Sequence, residues 1–165
     1  MGGSCSGKTT LAARLAERLG VPHIELDSLY HQPNWQESTA AELRARVEGA
    51  LAGREDWVAD GNYMPKLGTW LVDQADTIVW LDLPLSVCLR RMWHRTTSRI
   101  RDGTELWGTG NRETWANYVL KPNGLLFYTL RTHRRRRREY SALAPEKLVR
   151  LRTAAEAEAW LAAQS

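Results

Sequence analysis

Gly2, four intervening residues and then Gly7-Lys8-Thr9 give the pattern G-x-x-x-x-G-K-[ST] inside GGSCSGKTT, and the chemistry that spacing serves is the holding of phosphate. Glycines let the backbone come close to an anion, and successive N–H groups with a helix N-terminus supply positive potential. Lys8 reaches the terminal phosphates and Thr9 holds Mg²⁺. The candidate contacts to a nucleotide are therefore Gly2, Gly3, Ser4, Cys5, Ser6, Gly7, Lys8, Thr9 and Thr10, with ATP as the donor. A chance Gly/Ser-rich turn would have no use for Lys8. Positive potential at the loop could also lower the pKa of the Cys5 thiol.

Three aspartates stand near apolar runs. Asp60 closes WVA, where a carboxylate can sit beside a metal or its waters, so Thr9 and Asp60 form the candidate metal pair; the bland reading of Asp60 is a turn-forming Asp-Gly pair. Asp27 follows HIEL and would face the same edge, either as a carboxylate that binds an acceptor or takes its proton, or as a simple turn or cap residue. Asp82 lies within a strand-like run before Pro84 and reads as structural.

Arginines supply the opposite charge. Arg91, Arg95 and Arg99 recur every four residues, which stacks them on one helical face, and mobile cations of this kind suit neutralisation of a transferred phosphoryl group. In RTHRRRRREY, Arg131 to Tyr140, consecutive arginines spread through all azimuths. The apolar stripe of Phe127 and Leu130 continues through Arg134 and Arg137, so at least one of those two is expected to face inward, towards nucleotide phosphate. The rest are surface residues, solvated or available to nucleic acid.

These groups need elements to position them. TTLAARLAERL, 9 to 19, places Leu11, Leu15 and Leu19 on one helical face, with Gly20 as its stop. HIEL at 23 to 26, WVAD at 57 to 60, TIVWLDL at 77 to 83 and KLVRLR at 147 to 152 read as short buried strands. Thr39 with Glu42 and Thr153 with Glu156 are capping boxes opening two helices, the first through about Leu51, the second through Trp160. An arginine-rich helix follows Pro84. From about Ile100 to Glu113 the chain loses periodicity and gains glycines, as a lid would. A helix from about Thr114 breaks near Pro122-Asn123-Gly124, and a longer one runs from Leu125 to about Leu143. Trp57, Trp80 and Trp160 fall in core-like patterns, while Trp35 and Trp107 sit in loops, where packing competes with stacking on a base. Strands alternating with helices predict a parallel α/β sheet with its ligand at the carboxyl ends of the strands.

With 165 residues, 43% hydrophobic and 25% charged, residues 1–165 are expected to fold as one domain, with a lid-like segment at about 95–113. The net charge of +4 and a pI near 9.3 favour acidic partners without choosing among them. Cys5 and Cys88 have neither disulfide-scaffold nor zinc spacing, and no apolar stretch is long enough for a membrane helix. Both features fit a cytoplasmic protein without a membrane partner.

GGSCSGKTTLA, ELDSLYH, WVADGNY, VWLDLP, RTHRRRRREY and EAWLA together make the chain, over essentially residues 2 to 165, resemble the small adenylate-kinase-like P-loop proteins of the topology modulation protein group. The resemblance implies a nucleoside-monophosphate-kinase-like fold with a five-stranded parallel sheet, an Mg·ATP donor site, and an acceptor site between the loops after strands two and three. Carried over, Gly2 to Thr10 look like the donor phosphate site and Asp60 like the metal-associated aspartate. Arg95 looks like the lid arginine, Arg134 like the catalytic-helix arginine, and the loop from Thr153 like the adenine site. Lys8, Asp27, Asp60, Arg95 and Arg134 are then the expected catalytic set, with Arg95, Arg99 and Arg137 joining the nucleotide contacts. The expected activity is transfer of the ATP γ-phosphate to a small acceptor by a small-molecule or nucleotide kinase. The alternative is a nucleic-acid-associated ATPase or DNA-topology-related nucleotide-binding protein.

Two features depart from that family. Where adenylate kinases continue Asp-Gly with Phe-Pro-Arg, this chain has Asn62, Tyr63 and Met64, which leaves Lys66 or Arg44 to hold an acceptor phosphate. The central first strand, which would lie between the runs at 57 to 60 and 77 to 83, is also missing ahead of Gly2. The true start is accordingly expected upstream of Met1, with a short apolar strand before it; otherwise the sheet must close differently.

Overall fold

The computed structural model describes residues 1–120, 124–143 and 145–164. Helix α1, Lys8–Leu19, starts on Gly7 in the left-handed region at φ 97° and ends on Gly20, whose N–H closes the last turn on Ala16 and Glu17. Its inward face carries Leu11, Ala12 and Ala16, while Leu19, expected inside, is 40% exposed. Strand β1, His23–Glu25, runs into the short helix α2, Leu26–Tyr30, so HIEL loses its last residue to a helix. An antiparallel ribbon of β2, His31–Gln32, and β3, Gln36–Glu37, follows.

Helix α3, Ala40–Leu51, opens on the expected capping box: Glu42 N–H donates to Thr39 Oγ1 at 3.2 Å, and Thr39 N–H donates to Glu42 Oε2 at 2.8 Å. Leu43 and Val47 of this helix are fully buried. Strand β4, Val58–Asp60, pairs in parallel with β1, placing Glu25 opposite Asp60. Two short helices, α4, Met64–Leu67, and α5, Trp70–Gln74, lead to β5, Ile78–Leu81.

Helix α6, Leu85–Asp102, takes in the first part of the expected lid, and the rest is a hairpin of β6, Glu105–Leu106, and β7, Asn111–Arg112. A π-helical turn spans Ala116–Leu120, and the break expected near Pro122-Asn123 lies outside the described residues. Helix α7, Leu125–Ser141, precedes β8, Leu148–Leu151, which pairs in parallel with β5. In the last helix, α8, Ala154–Ala162, Thr153 Oγ1 accepts from Glu156 N–H at 3.1 Å, but Glu156 reaches back to Arg152 N–H, so half of the expected box forms. No helix among the described residues is long and apolar enough to cross a membrane.

The five-stranded parallel sheet is not what forms. Among the described residues the parallel strands make two separate pairs, β1–β4 and β5–β8. Each covers its own core: Ile24, Leu26, Tyr30, Leu43, Val47 and Leu67 on one side, and Leu11, Leu81, Leu151 and Leu161 on the other. Between β4 and β5 lies a cavity of about 520 Å³ whose walls include Leu11, Val58, Ala59, Ile78 and Val79. Met1 enters it along β5: the Met1 amino group donates to Val79 O at 2.6 Å, Leu81 N–H donates to Met1 O at 3.0 Å, and Gly2 bridges Leu81 in parallel. Two residues of pairing cannot zip the two sheets together, because inner edge groups of a sheet need partners along their whole length.

Candidate active site

The candidate phosphate loop, residues 2–9, is seated by close backbone packing. A Cβ at Gly2 would stand 2.5 Å from Ser6 Oγ and 3.0 Å from Leu81 O, so only glycine fits there. Cys5 and Gly7 take left-handed φ of 59° and 97°, conformations that turn successive N–H groups towards one concavity. No side chain caps α1, which leaves its first-turn donors open to an anion. Ser4 through Thr10 line one large cleft with Asp27, Arg91, Arg95 and Arg99.

Asn62 fastens the start of this loop. Its Nδ2 donates to Gly2 O at 2.6 Å, while its Oδ1 accepts from Gly2 N–H at 3.3 Å and from the Tyr140 hydroxyl at 2.8 Å. Burial pushes the Tyr140 phenol up to about 12, so it stays a donor. The residue that looks like a departure from adenylate kinases thus ties the phosphate loop to α7.

Thr9 and Asp60 meet directly. The Thr9 hydroxyl donates to Asp60 Oδ2 at 2.6 Å, and Asp60 Oδ1 lies 2.9 Å from His23 Nε2. Asp60 is 4% exposed, so its carboxylate is held in one orientation by a neighbour on each oxygen. A hydroxyl and a carboxylate beside a phosphate loop fit a hard cation that keeps waters and takes its remaining ligands from phosphate. No group of three His, Cys, Asp or Glu side chains suited to a metal occurs among the described residues. His23 was not foreseen; its position two residues before Glu25 on the strand paired with β4 is the signal that would have found it.

The arginines of α6 face this loop as their spacing predicts. Arg91 donates to Ser6 O at 3.0 Å. Arg95 and Arg99 converge on Glu113 Oε1, at 3.5 and 2.7 Å. Cys5 sits among these groups, and burial raises its thiol pKa, outweighing the lowering by Arg95 and Lys8.

Helix α7 corrects the reading of the arginine run. Its buried face is Thr129, Thr132, Arg136 and Tyr140, and the supposed apolar stripe is exposed, Phe127 at 44% and Leu130 at 43%. The inward guanidinium is Arg136, which donates to the Tyr128 hydroxyl at 2.6 Å and lines the cleft. Arg134 is exposed. Arg137 pairs with buried Asp82, with its Nε 2.9 Å from Oδ1, and Arg150 holds the other oxygen at 2.5 Å while covering Trp80. Asp82 therefore anchors α7 to β8, and the reason the sequence misleads is that this surface-facing arginine is claimed by a structural carboxylate.

Across the cleft lies a wall of aromatic and acidic residues. Asp27 Oδ1 accepts from the Tyr63 hydroxyl at 2.7 Å, and burial followed by the Asp27 charge keeps that phenol protonated. Lys66 lies over the Tyr30 ring, 5.4 Å from its centre, whereas Arg44 pairs with Glu48 and covers Trp70 away from the cleft. Trp35 and Trp107 pack on each other and on His31, whose ring stacks on Trp107 at 5.2 Å; burial lowers the His31 pKa. Trp107 Nε1 donates to Glu25 at 3.0 Å. Asn111, 3% exposed, accepts from Trp35 N–H at 2.9 Å and donates to Gln32 O at 2.9 Å, clasping the β6–β7 hairpin to the β2–β3 ribbon.

No protein-family model matches the chain. The cytidylate kinase of Pyrococcus horikoshii is 29% identical over 100 residues, which cover 54% of this chain and 52% of that protein. An uncharacterized protein of Bacillus subtilis, YqaC, is 29% identical over 113 residues, covering 68% of this chain and 62% of its own length. The match thus spans about half the length of the first of these relatives and under two thirds of the second. A gluconokinase from Sinorhizobium meliloti 1021 superposes with a TM-score of 0.56 at 25% identity, over 98% of this chain and 89% of that one. The chain is distantly homologous to cytidylate kinase and gluconokinase, both nucleoside-monophosphate-kinase-like P-loop kinases.

Proposed function

We propose that this protein transfers the γ-phosphoryl group of ATP to a small anionic acceptor. The observation that carries the reading is the Thr9–Asp60 contact at 2.6 Å beside the phosphate loop, with Thr9 lining the cleft that Arg91, Arg95 and Arg99 line from α6. Lys8 and the loop N–H groups bind the terminal phosphates, and the α6 arginines neutralise charge on the group in transfer. Thr9 and Asp60 would hold Mg²⁺, which when bound supplies charge neutralisation at the phosphates.

On the acceptor side, Asp27 orients the attacking hydroxyl or phosphate oxygen through a carboxylate already aligned by Tyr63. Lys66, Arg135 and Arg136 line the same cleft and favour an acceptor that carries its own negative charge. The names of the two relatives fit this, since cytidylate and gluconate are both anions.

The test is ADP release from Mg·ATP across nucleoside monophosphates and sugar acids, with Lys8→Ala as the blank. One acceptor should stimulate release, and Lys8→Ala should lower it on the order of 10²-fold or more. Turnover that is indifferent to Lys8 would overturn the proposal. The exposed side of α7, with Arg134 and Arg138 on the face of Phe127 and Leu130, supports a second reading in which nucleic acid binds there; stimulation by nucleic acid alone, weakening steeply with salt, would favour it.

A further inference from the structure

Glu113 is a carboxylate placed where a phosphate should be. It follows β7, is 12% exposed at its side chain, and lines the cleft with the phosphate loop. Its Oε1 gathers Arg99 at 2.7 Å and Arg95 at 3.5 Å. Its Oε2 is buried without a hydrogen-bond partner, and so is Arg95 Nε. Two guanidinium groups closing on one anion is the arrangement by which arginines grip phosphate. A finished structural ion pair satisfies both of its oxygens, because a buried unpaired one is costly. Here Glu113 Oε2 lacks a donor, so the carboxylate is an incomplete partner, and Arg95 keeps an unused buried donor at Nε, so the cluster has capacity for an anion with more oxygens than Glu113 offers.

We propose that Glu113 is an internal placeholder for nucleotide phosphate, holding Arg95 and Arg99 at the mouth of the loop and yielding them when polyphosphate binds. It is a positioning residue: it acts through the arginines, competes with phosphate for them, and keeps them preorganised. This rests on the kinase reading above. In the sequence, Glu113 is simply the last residue of an aperiodic stretch, and only the convergence of Arg95 and Arg99 reveals it.

The experiment is calorimetric binding of ADP to the full chain and to four variants. Glu113→Gln keeps the shape but removes the competing charge, and ADP affinity should rise roughly fivefold, the scale of a partly exposed ion pair. Glu113→Asp, which keeps the charge, should bind within about twofold of the parent. Glu105→Gln on the same hairpin makes the same charge change away from the arginines and should leave affinity unmoved. Unchanged or weaker binding by Glu113→Gln, or equal tightening by Glu105→Gln, overturns the inference while the kinase reading stands. Absence of any ADP binding that Lys8→Ala abolishes brings both down.

Discussion

The Thr9 hydroxyl donates to Asp60 Oδ2 at 2.6 Å, joining the first turn of α1 to the last residue of β4. Asp60→Asn keeps the size of the side chain and removes the charge a cation needs. Turnover should fall on the order of 10²-fold, with the magnesium concentration for half-maximal rate shifted upward. A magnesium titration of the variant reads both, and an unshifted titration would take Asp60 out of the metal site.

Asn62 supplies partners to both backbone groups of Gly2 and to Tyr140. Asn62→Ala leaves partly buried groups unpaired and should cost about 1–3 kcal/mol in urea unfolding. Tyr140→Phe removes one of those bonds and should cost about 0.5–1.5 kcal/mol. ATP affinity should fall in Asn62→Ala, because the loop loses its fastening at Gly2.

Asn111 joins two hairpins that are otherwise far apart in the chain. In Asn111→Ala, amide exchange should quicken at 31–37 and 105–112 together while β5 and β8 stay protected, since local opening follows cooperative units. Independent behaviour of the two hairpins in the parent protein would contradict the clasp.

Burial lowers the pKa of the Met1 amine to about 5 from 8.0, and burial lowers His31 and His133 as well. Between pH 5 and 8 the unfolded chain binds more protons than the folded one, so unfolding free energy should rise with pH across that window. The cost of the charged, buried amine is fully present below about pH 5 and gone above about pH 8. Urea midpoints at several pH values measure the slope. Adding a short apolar, β-branched segment ahead of Met1 converts the amine to an amide and offers backbone to the open edges of β4 and β5. The midpoint should then rise and the slope attributable to the amine should disappear.

The parts of the site that the sequence shows are those set by local geometry. The phosphate loop, the capping box at Thr39 and the i, i+4 arginines of α6 depend on residues within two turns of each other, and each stands where spacing puts it. The inward face of α7 departs from the expected stripe because Phe127 and Leu130 are exposed, and it runs from Tyr140 back through Arg136, Thr132 and Thr129. Arg137 could not be assigned without Asp82, 55 positions away. His23, Asn62 and Glu113 gain their meaning from partners 37, 60 and 14 positions distant, and no periodicity records such pairs. The division of the sheet likewise depends on edge pairing across the whole domain.

The clasp at Asn111 makes a single door of two walls. The β2–β3 ribbon borders the acceptor side, and the β6–β7 hairpin extends the helix whose arginines face the donor side. In the kinase reading proposed above, movement of either wall would carry the other with it, so donor and acceptor sides would open together. Under that reading release of the two products would be coupled, and stiffening the clasp would trade faster commitment of bound substrates against slower clearance of what they become.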